Sequence, residues 1–228
     1  MRNLELVNNH FKLFEMNPVV IIYKRPVDWT DRVARVFAGE FTHCEIYLPA
    51  ESCSFSIFRG GVIQCSAVLP NLYRAHPELF SWHMFGLNDY EYRRLRVWNT
   101  NQVTKRCEYN LSDLAYQMLP VVVQTAFVPD ISREEAQHPH KLFCSQAVVL
   151  ALREACNGQH ASPHLEAFVK SLNSRITTPT ELADRTTTYM GMELSSGPVP
   201  LTAVEAHQVL EKNRLFQGSR VSVLQFTS

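Results

Sequence analysis

Phe143–Gly158, FCSQAVVLALREACNG, is the stretch on which the reading of the fold turns. Ala147, Val148, Ala151, Leu152 and Ala155 recur at helical spacing, and Gly158 supplies the stop. Cys144 then stands at the start of a helix, where unpaired backbone N–H groups and the positive end of the helix dipole face its sulfur. A thiol in that position ionises more easily than one in mid-helix, and the thiolate is the nucleophilic form. The same N–H groups can hold an oxyanion, so one piece of backbone supplies both activation and charge stabilisation. Against this stands the commoner fate of a helix cysteine, burial as a small hydrophobe, and Cys156 is read that way.

A nucleophile needs a base. Of the nine histidines, His10, His76, His83, His160, His164 and His207 fall in loops, termini or polar helix faces. His138 and His140 precede Cys144 as H-x-H-x-x-x-C, but with Pro139 between them they match no standard zinc spacing, so no metal site is expected. His43 is different. It lies within Phe41–Leu48 (FTHCEIYL), a strand-like run stopped by Pro49. Alternation puts His43, Glu45 and Tyr47 on one face and Cys44, Ile46 and Leu48 on the other. The apolar face is expected to go to the core, leaving an imidazole and a carboxylate projecting together. A solvated sheet face with two polar residues fits the same spacing.

Outward from these two segments, Val19–Tyr23 reads as a buried strand and Asp28–Phe37 as a short amphipathic helix. Phe55–Phe58 and Val62–Val68 read as a hairpin turning at Gly60-Gly61, and Leu95–Trp98 as another strand. A helix is expected over Leu111–Val123, and a capping box at Ser132–Glu135 opens a short one. Further helices are expected from Ser162-Pro163 to Leu172, from Thr178-Pro179-Thr180-Glu181, and from Thr202 with Glu205 to about Leu215. Residues 219–226 read as a closing strand. Strands early and helices late predict an α+β fold.

Composition excludes rather than assigns. The 228 residues suffice for one domain, and 22 Lys plus Arg balance 22 Asp plus Glu, which removes any general pull toward nucleic acid or anionic membrane. The Tyr92–Arg96 cluster reads as a solvated edge. Nothing nears the roughly 18 uninterrupted apolar residues of a membrane span, and the first residues lack the apolar core of a signal peptide. A reducing, cytoplasmic location is expected, with the six cysteines free rather than paired.

Four segments in order resemble the circularly permuted branch of the NlpC-type, papain-like superfamily, which includes YiiX-like bacterial proteins, lecithin:retinol acyltransferase-like enzymes and relatives in large DNA viruses. Phe41–Tyr47 is similar to the histidine strand, Phe55–Val62 to the hairpin after it, Phe143-Cys144-Ser145-Gln146 to the nucleophile motif, and Ile176–Ala183 to a C-terminal Pro-x-x-Leu segment. In ordinary papain-like enzymes the cysteine precedes the histidine; here His43 comes first, as in the permuted branch. The resemblance implies a single permuted papain-like domain over 1–228, its core at about 18–185 and the last helix and strand an extension. It implies an antiparallel sheet packed on helices, with the nucleophile at a helix N-terminus. It further implies a Cys144–His43 pair working through a thioester on a peptide or protein substrate, without cofactor or metal. Glu45, on the face of His43, is the first choice to orient it, and Gln64 on the next strand the second. Gln146 departs from the usual Glu. Lipid acyl hydrolysis or transfer, and a silent binding or virion protein, are the rival readings, and a viral source would extend the location to host cytoplasm or virion.

Overall fold

The β-branched run near the start of the chain becomes the central strand of a sheet. In the computed structural model, which describes residues 16–27, 35, 39–57, 63–66, 69–109, 141–158, 160–172, 178–190 and 193–212, it forms β1, Asn17–Lys24. Val19, Ile21 and Tyr23 face one apolar cluster while Val20 and Ile22 face another, so the strand is buried on both sides. That is why it reads as a continuous apolar run rather than an alternating one.

Around it the sheet runs β4-β3-β2-β1-β5-β8, every neighbouring pair antiparallel. Its other strands are β2 (His43–Leu48), β3 (Cys53–Ile57), β4 (Ile63–Ser66), β5 (Phe80–Leu87) and β8 (Ser195–Ser196), while β6 (Glu108–Tyr109) and β7 (Lys141–Leu142) form a separate parallel pair. Helices α2 (Asp89–Thr104), α3 (Cys144–Ala155), α4 (Pro163–Ser171) and α5 (Pro179–Met190) contribute to the larger cluster on one face. The smaller cluster on the other face gathers Tyr73 of α1 (Leu69–Ala75) and Ala206 of α6 (residues 203–212). The fold is α+β, as the element pattern predicts.

Helix starts follow their sequence signals. Ser162 accepts from the Leu165 N–H ahead of α4, and Thr178 from the Glu181 N–H ahead of α5. Thr202 and Glu205 cap α6 reciprocally. The α5 start also fixes the approach to β2. Thr180 Oγ1 accepts from the Phe41 N–H at 2.9 Å, and a Cβ on Gly39 (φ +84°) would lie 2.7 Å from that oxygen. Only glycine suits both the backbone angle and the space.

Three expectations are corrected. Leu95–Trp98 is not a strand but the middle of α2, which Asn88 and Glu91 open with a capping box and which buries Glu91, Tyr92, Leu95, Trp98, Asn99 and Gln102 at helical spacing. Four apolar or long residues are too few to separate the two periods. His83, placed with the histidines of loops, termini and polar helix faces, is instead buried in β5, and α1 carries no assignment in the sequence reading. Cys53 is disulfide-bonded, whereas Cys44, Cys107, Cys144 and Cys156 are free. The helices expected over 111–123 and 132–135, the turn at Gly60-Gly61 and the strand over 219–226 lie outside the described residues, as does the 28–37 helix apart from Arg35.

The two-faced burial of β1 gives a stability prediction. Ile21→Ala removes a fully buried side chain and should lower unfolding stability by about 2–5 kcal/mol, whereas Val204→Ala, on an exposed site of α6, should shift it by less than about 0.5 kcal/mol. Urea denaturation midpoints of the two variants check this. Equal shifts would contradict the layer arrangement.

Candidate active site

Cys144 is the first residue of α3, and Phe143 before it is extended (φ −104°, ψ 168°). The Gln146 side chain reaches back to accept the Phe143 N–H at 3.3 Å and so closes the helix entry. A glutamate there would make the same bond but place a negative charge one turn from the sulfur. Gln146 caps without that repulsion. The apolar face of α3 packs on the Cys44, Ile46 and Leu48 face of β2, within one buried cluster. This packing sets the helix tip against the beginning of the strand.

At that junction Cys144 and His43 come close enough for each to shift the other's ionisation. His43 is the first residue of β2, so its ring can reach from the polar face of the strand round to the sulfur. Burial pushes its pKa down, but the Cys144 charge, the hydrogen bond to the sulfur and the Glu45 carboxylate outweigh this and push it up to about 10. Cys144 moves the other way. The Cys44 thiol hydrogen-bonded to its sulfur holds it well below the ordinary thiol value, His43 and the Cys44 backbone N–H add to that, and burial opposes. The opposed shifts favour a thiolate beside an imidazolium. Its surroundings are tight: Cys144 is 6% exposed and the His43 side chain 13%.

The remaining ring contacts differ from the expected ones. His43 Nε2 lies 2.8 Å from Ser56 Oγ on β3, a hydrogen bond, and 3.8 Å from Glu45 Oε2, an ion-pair distance too long for a hydrogen bond. Glu45 is thus close but acts as a charge, and Ser56 takes the orienting bond for which Glu45 was the first choice. The backbone of Gln64, the second choice, pairs with Ser56 across β3 and β4. Glu45 itself is buried, its Oε1 accepting from the Tyr73 hydroxyl, which is also 2.9 Å from Ser54 Oγ. The solvated alternative for this face does not hold, since Tyr73 of α1 packs on it.

Sequence reasoning missed Ser56, Tyr73 and Cys44. The β2–β3 register pairs Ile46 with Phe55 and Tyr47 with Ser54, and the next step sets Glu45 beside Ser56. Ser54 and Ser56 alternating with Cys53, Phe55 and Ile57 were a readable signal, since they extend the polar stripe of His43 and Glu45. Nothing local marks Tyr73, which arrives from a separate helix. His138 and His140 lie outside the described residues, and among those residues no cluster of three or more His, Cys, Asp or Glu could hold a metal ion. Among the same residues, no helix is long and apolar enough to cross a membrane.

Burial raises the other free thiols: Cys107 to about 11, Cys156 to about 12, and Cys44 well above its usual value. Iodoacetamide at neutral pH should therefore alkylate Cys144 at least about tenfold faster than these three, read by peptide mass, and His43→Ala should erase the preference. Because the His43 value is raised, its imidazolium persists in neutral solution and is lost as pH rises through about 10. Glu45→Gln removes one charge that supports it, so the imidazole proton resonances should titrate at lower pH than in the wild type; an unchanged midpoint contradicts the ion pair. Comparison with protein-family models, with curated proteins and with solved structures finds no match to this chain.

Proposed function

We propose that the chain is a cysteine-dependent hydrolase of the circularly permuted papain-like kind, a peptidase or amidase that works through a thioester. The observation that carries this reading is the Cys144–His43 contact with its opposed pKa shifts at a helix tip. A structural cysteine has no need of a charged imidazole held against it by a buried carboxylate, and burying those charges costs stability.

In this reading the Cys144 thiolate attacks the carbonyl carbon of an amide, and the N–H groups of the first turn of α3, that of Cys144 foremost, receive the developing oxyanion. The His43 imidazolium donates its proton to the leaving amine as the tetrahedral adduct collapses to the thioester. Neutral His43 then takes a proton from water, the hydroxide attacks the thioester, and the acid product leaves with the thiolate restored. Nε2 is bonded to Ser56, and in this reading Nδ1 serves the sulfur. Ser56 fixes the ring plane, and Glu45 stabilises the cationic form from 3.8 Å.

The permuted order, with the histidine strand ahead of the cysteine helix, supports the family resemblance, as does an antiparallel sheet with the helix on one face. A peptide or isopeptide is the favoured substrate class.

Purified protein should be presented with peptide amides, ubiquitin-type isopeptides, short-chain acyl esters and phospholipids. Turnover of an amide is expected, with Cys144→Ser inactive and His43→Ala lowered by about a hundred- to ten-thousandfold in kcat/KM. Ser56→Ala should cost about tenfold in kcat, the worth of one hydrogen bond. Turnover confined to the esters or phospholipids replaces the amidase reading with a lipid acyl one. No turnover by a folded protein whose Cys144 alkylates no faster than Cys107 ends the enzyme reading.

A further inference from the structure

Glu45 is the buried acid of the site, and what holds it comes from the side of the sheet opposite α3. Its Oε1 accepts from the Tyr73 hydroxyl, while Oε2 finds no hydrogen bond among the described residues and lies 3.8 Å from His43 Nε2. Tyr73 is fully buried on α1, its ring meeting Tyr47 edge-on at 6.0 Å and Phe80 at 5.1 Å. Ser54 Oγ stands 2.9 Å from the same hydroxyl, nearer than its other acceptor, the Ile46 carbonyl at 3.4 Å. A carboxylate only accepts, and a phenol has one proton. That proton therefore goes to Glu45, and Ser54 meets Tyr73 as a donor. The bonds run one way, from Ser54 to Tyr73 to Glu45.

From this geometry we infer that Tyr73 is a positioning residue of the site: its hydroxyl pins one oxygen of Glu45 so that the other keeps its charge toward His43. The inference deepens the hydrolase reading and rests on it for its catalytic meaning. At 3.8 Å the His43 ring is too far to hold the carboxylate by a hydrogen bond, and Nε2 is already bonded to Ser56. Without the phenol, a carboxylate only 3% exposed has no hydrogen bond on either oxygen, an unfavourable state. It then turns toward another donor or gives up its charge, and His43 loses support either way. Packing alone does not call for the hydroxyl, since a phenylalanine fills the same space beside Tyr47 and Phe80.

The other elements around His43 leave this role to Glu45. Helix α3 brings Cys144 against the opposite face of β2, and β1 sets Lys24 beside His43 in register. Opposite Glu45, β1 carries the apolar Ile22, and β3 brings the hydroxyls of Ser54 and Ser56. Besides Tyr73, α1 carries Arg74, which is exposed.

The test is the ionisation of His43 in Tyr73→Phe, followed by nuclear magnetic resonance of isotope-labelled histidine rings and assigned with His43→Ala. The midpoint should fall by about one pH unit from the wild type. In a Glu45→Gln background the same substitution should leave the midpoint where Glu45→Gln alone puts it, because the hydroxyl acts through the carboxylate. With an amide substrate, the basic limb of the kcat/KM profile should fall together with the midpoint. No change in Tyr73→Phe, a rise, or an equal fall in the Glu45→Gln background overturns the inference. The titration uses no substrate, so a chain that turns over nothing yet shows this pattern loses the hydrolase reading and keeps the positioning one. If Tyr73→Phe does not fold, the wild type decides. Its phenol proton should resonate at low field, as in a charge-assisted bond, and Glu45→Gln should move it upfield. A phenol proton indifferent to Glu45→Gln overturns the inference equally.

Discussion

Everything at the site depends on α3 packing its apolar face against β2. The helix brings an N-terminus, and the strand brings an imidazole and a carboxylate two residues apart, but neither element carries a site alone. What joins them is ordinary burial: Ala147, Val148 and Ala151 on the helix, with Cys44, Ile46 and Leu48 on the strand, sit in one apolar cluster. The small residues on α3 allow its axis to lie close to the sheet. Burial of this kind is non-directional, so register must come from elsewhere. It comes from the Gln146 cap at the helix start and from the Thr180–Phe41 bond that fixes the entry to β2.

Charges buried in such a place are expensive, and the arrangement around them offsets the expense in two layers. The Cys144 thiolate has the imidazolium, the Cys44 thiol and a backbone N–H. The imidazolium has Ser56 and, farther off, Glu45. Glu45 in turn is held by Tyr73, whose hydroxyl also meets Ser54. Its second oxygen makes no hydrogen bond, which leaves it as a bare negative charge aimed at His43. A carboxylate satisfied on both oxygens would be more comfortable but would stabilise the imidazolium less. The buried Tyr73 is raised by that same burial and by Glu45, so it stays a neutral donor over the whole working pH range.

How much of this was legible depended on whether local pattern and tertiary role agreed. The strand at Phe41–Leu48, the helix from Phe143 and the starts of α4, α5 and α6 were readable because periodicity and capping residues pointed the same way. The strand β5, FSWHMFGL, was not: its polar residues Ser81 and His83 are both buried, His83 held by Tyr23 and Thr187, so it shows no apolar-in, polar-out alternation against solvent. At Leu95–Trp98 the local run was too short, and the signal that decides for a helix, the Asn88–Glu91 box, lay several residues upstream. Within the site, Cys144, His43 and Glu45 could be named from position in their elements. Ser56 required the β2–β3 register and Tyr73 the packing of α1, neither of which any single segment encodes.

Cys44 marks the limit of such reading most sharply. By alternation it belongs to the core face of β2, and it is in the core, among apolar neighbours. Yet the core at that point contains the tip of α3, so a residue assigned to packing by its period also shifts the ionisation of the Cys144 thiol. The two roles do not conflict, because a thiol is apolar enough to pack and polar enough to donate one weak hydrogen bond. Its own ionisation is suppressed by burial and by the negative charge it faces. Its pKa is therefore raised while that of Cys144 is lowered. That asymmetry, set by which sulfur sits at a helix N-terminus beside an imidazolium, makes two chemically identical side chains unequal.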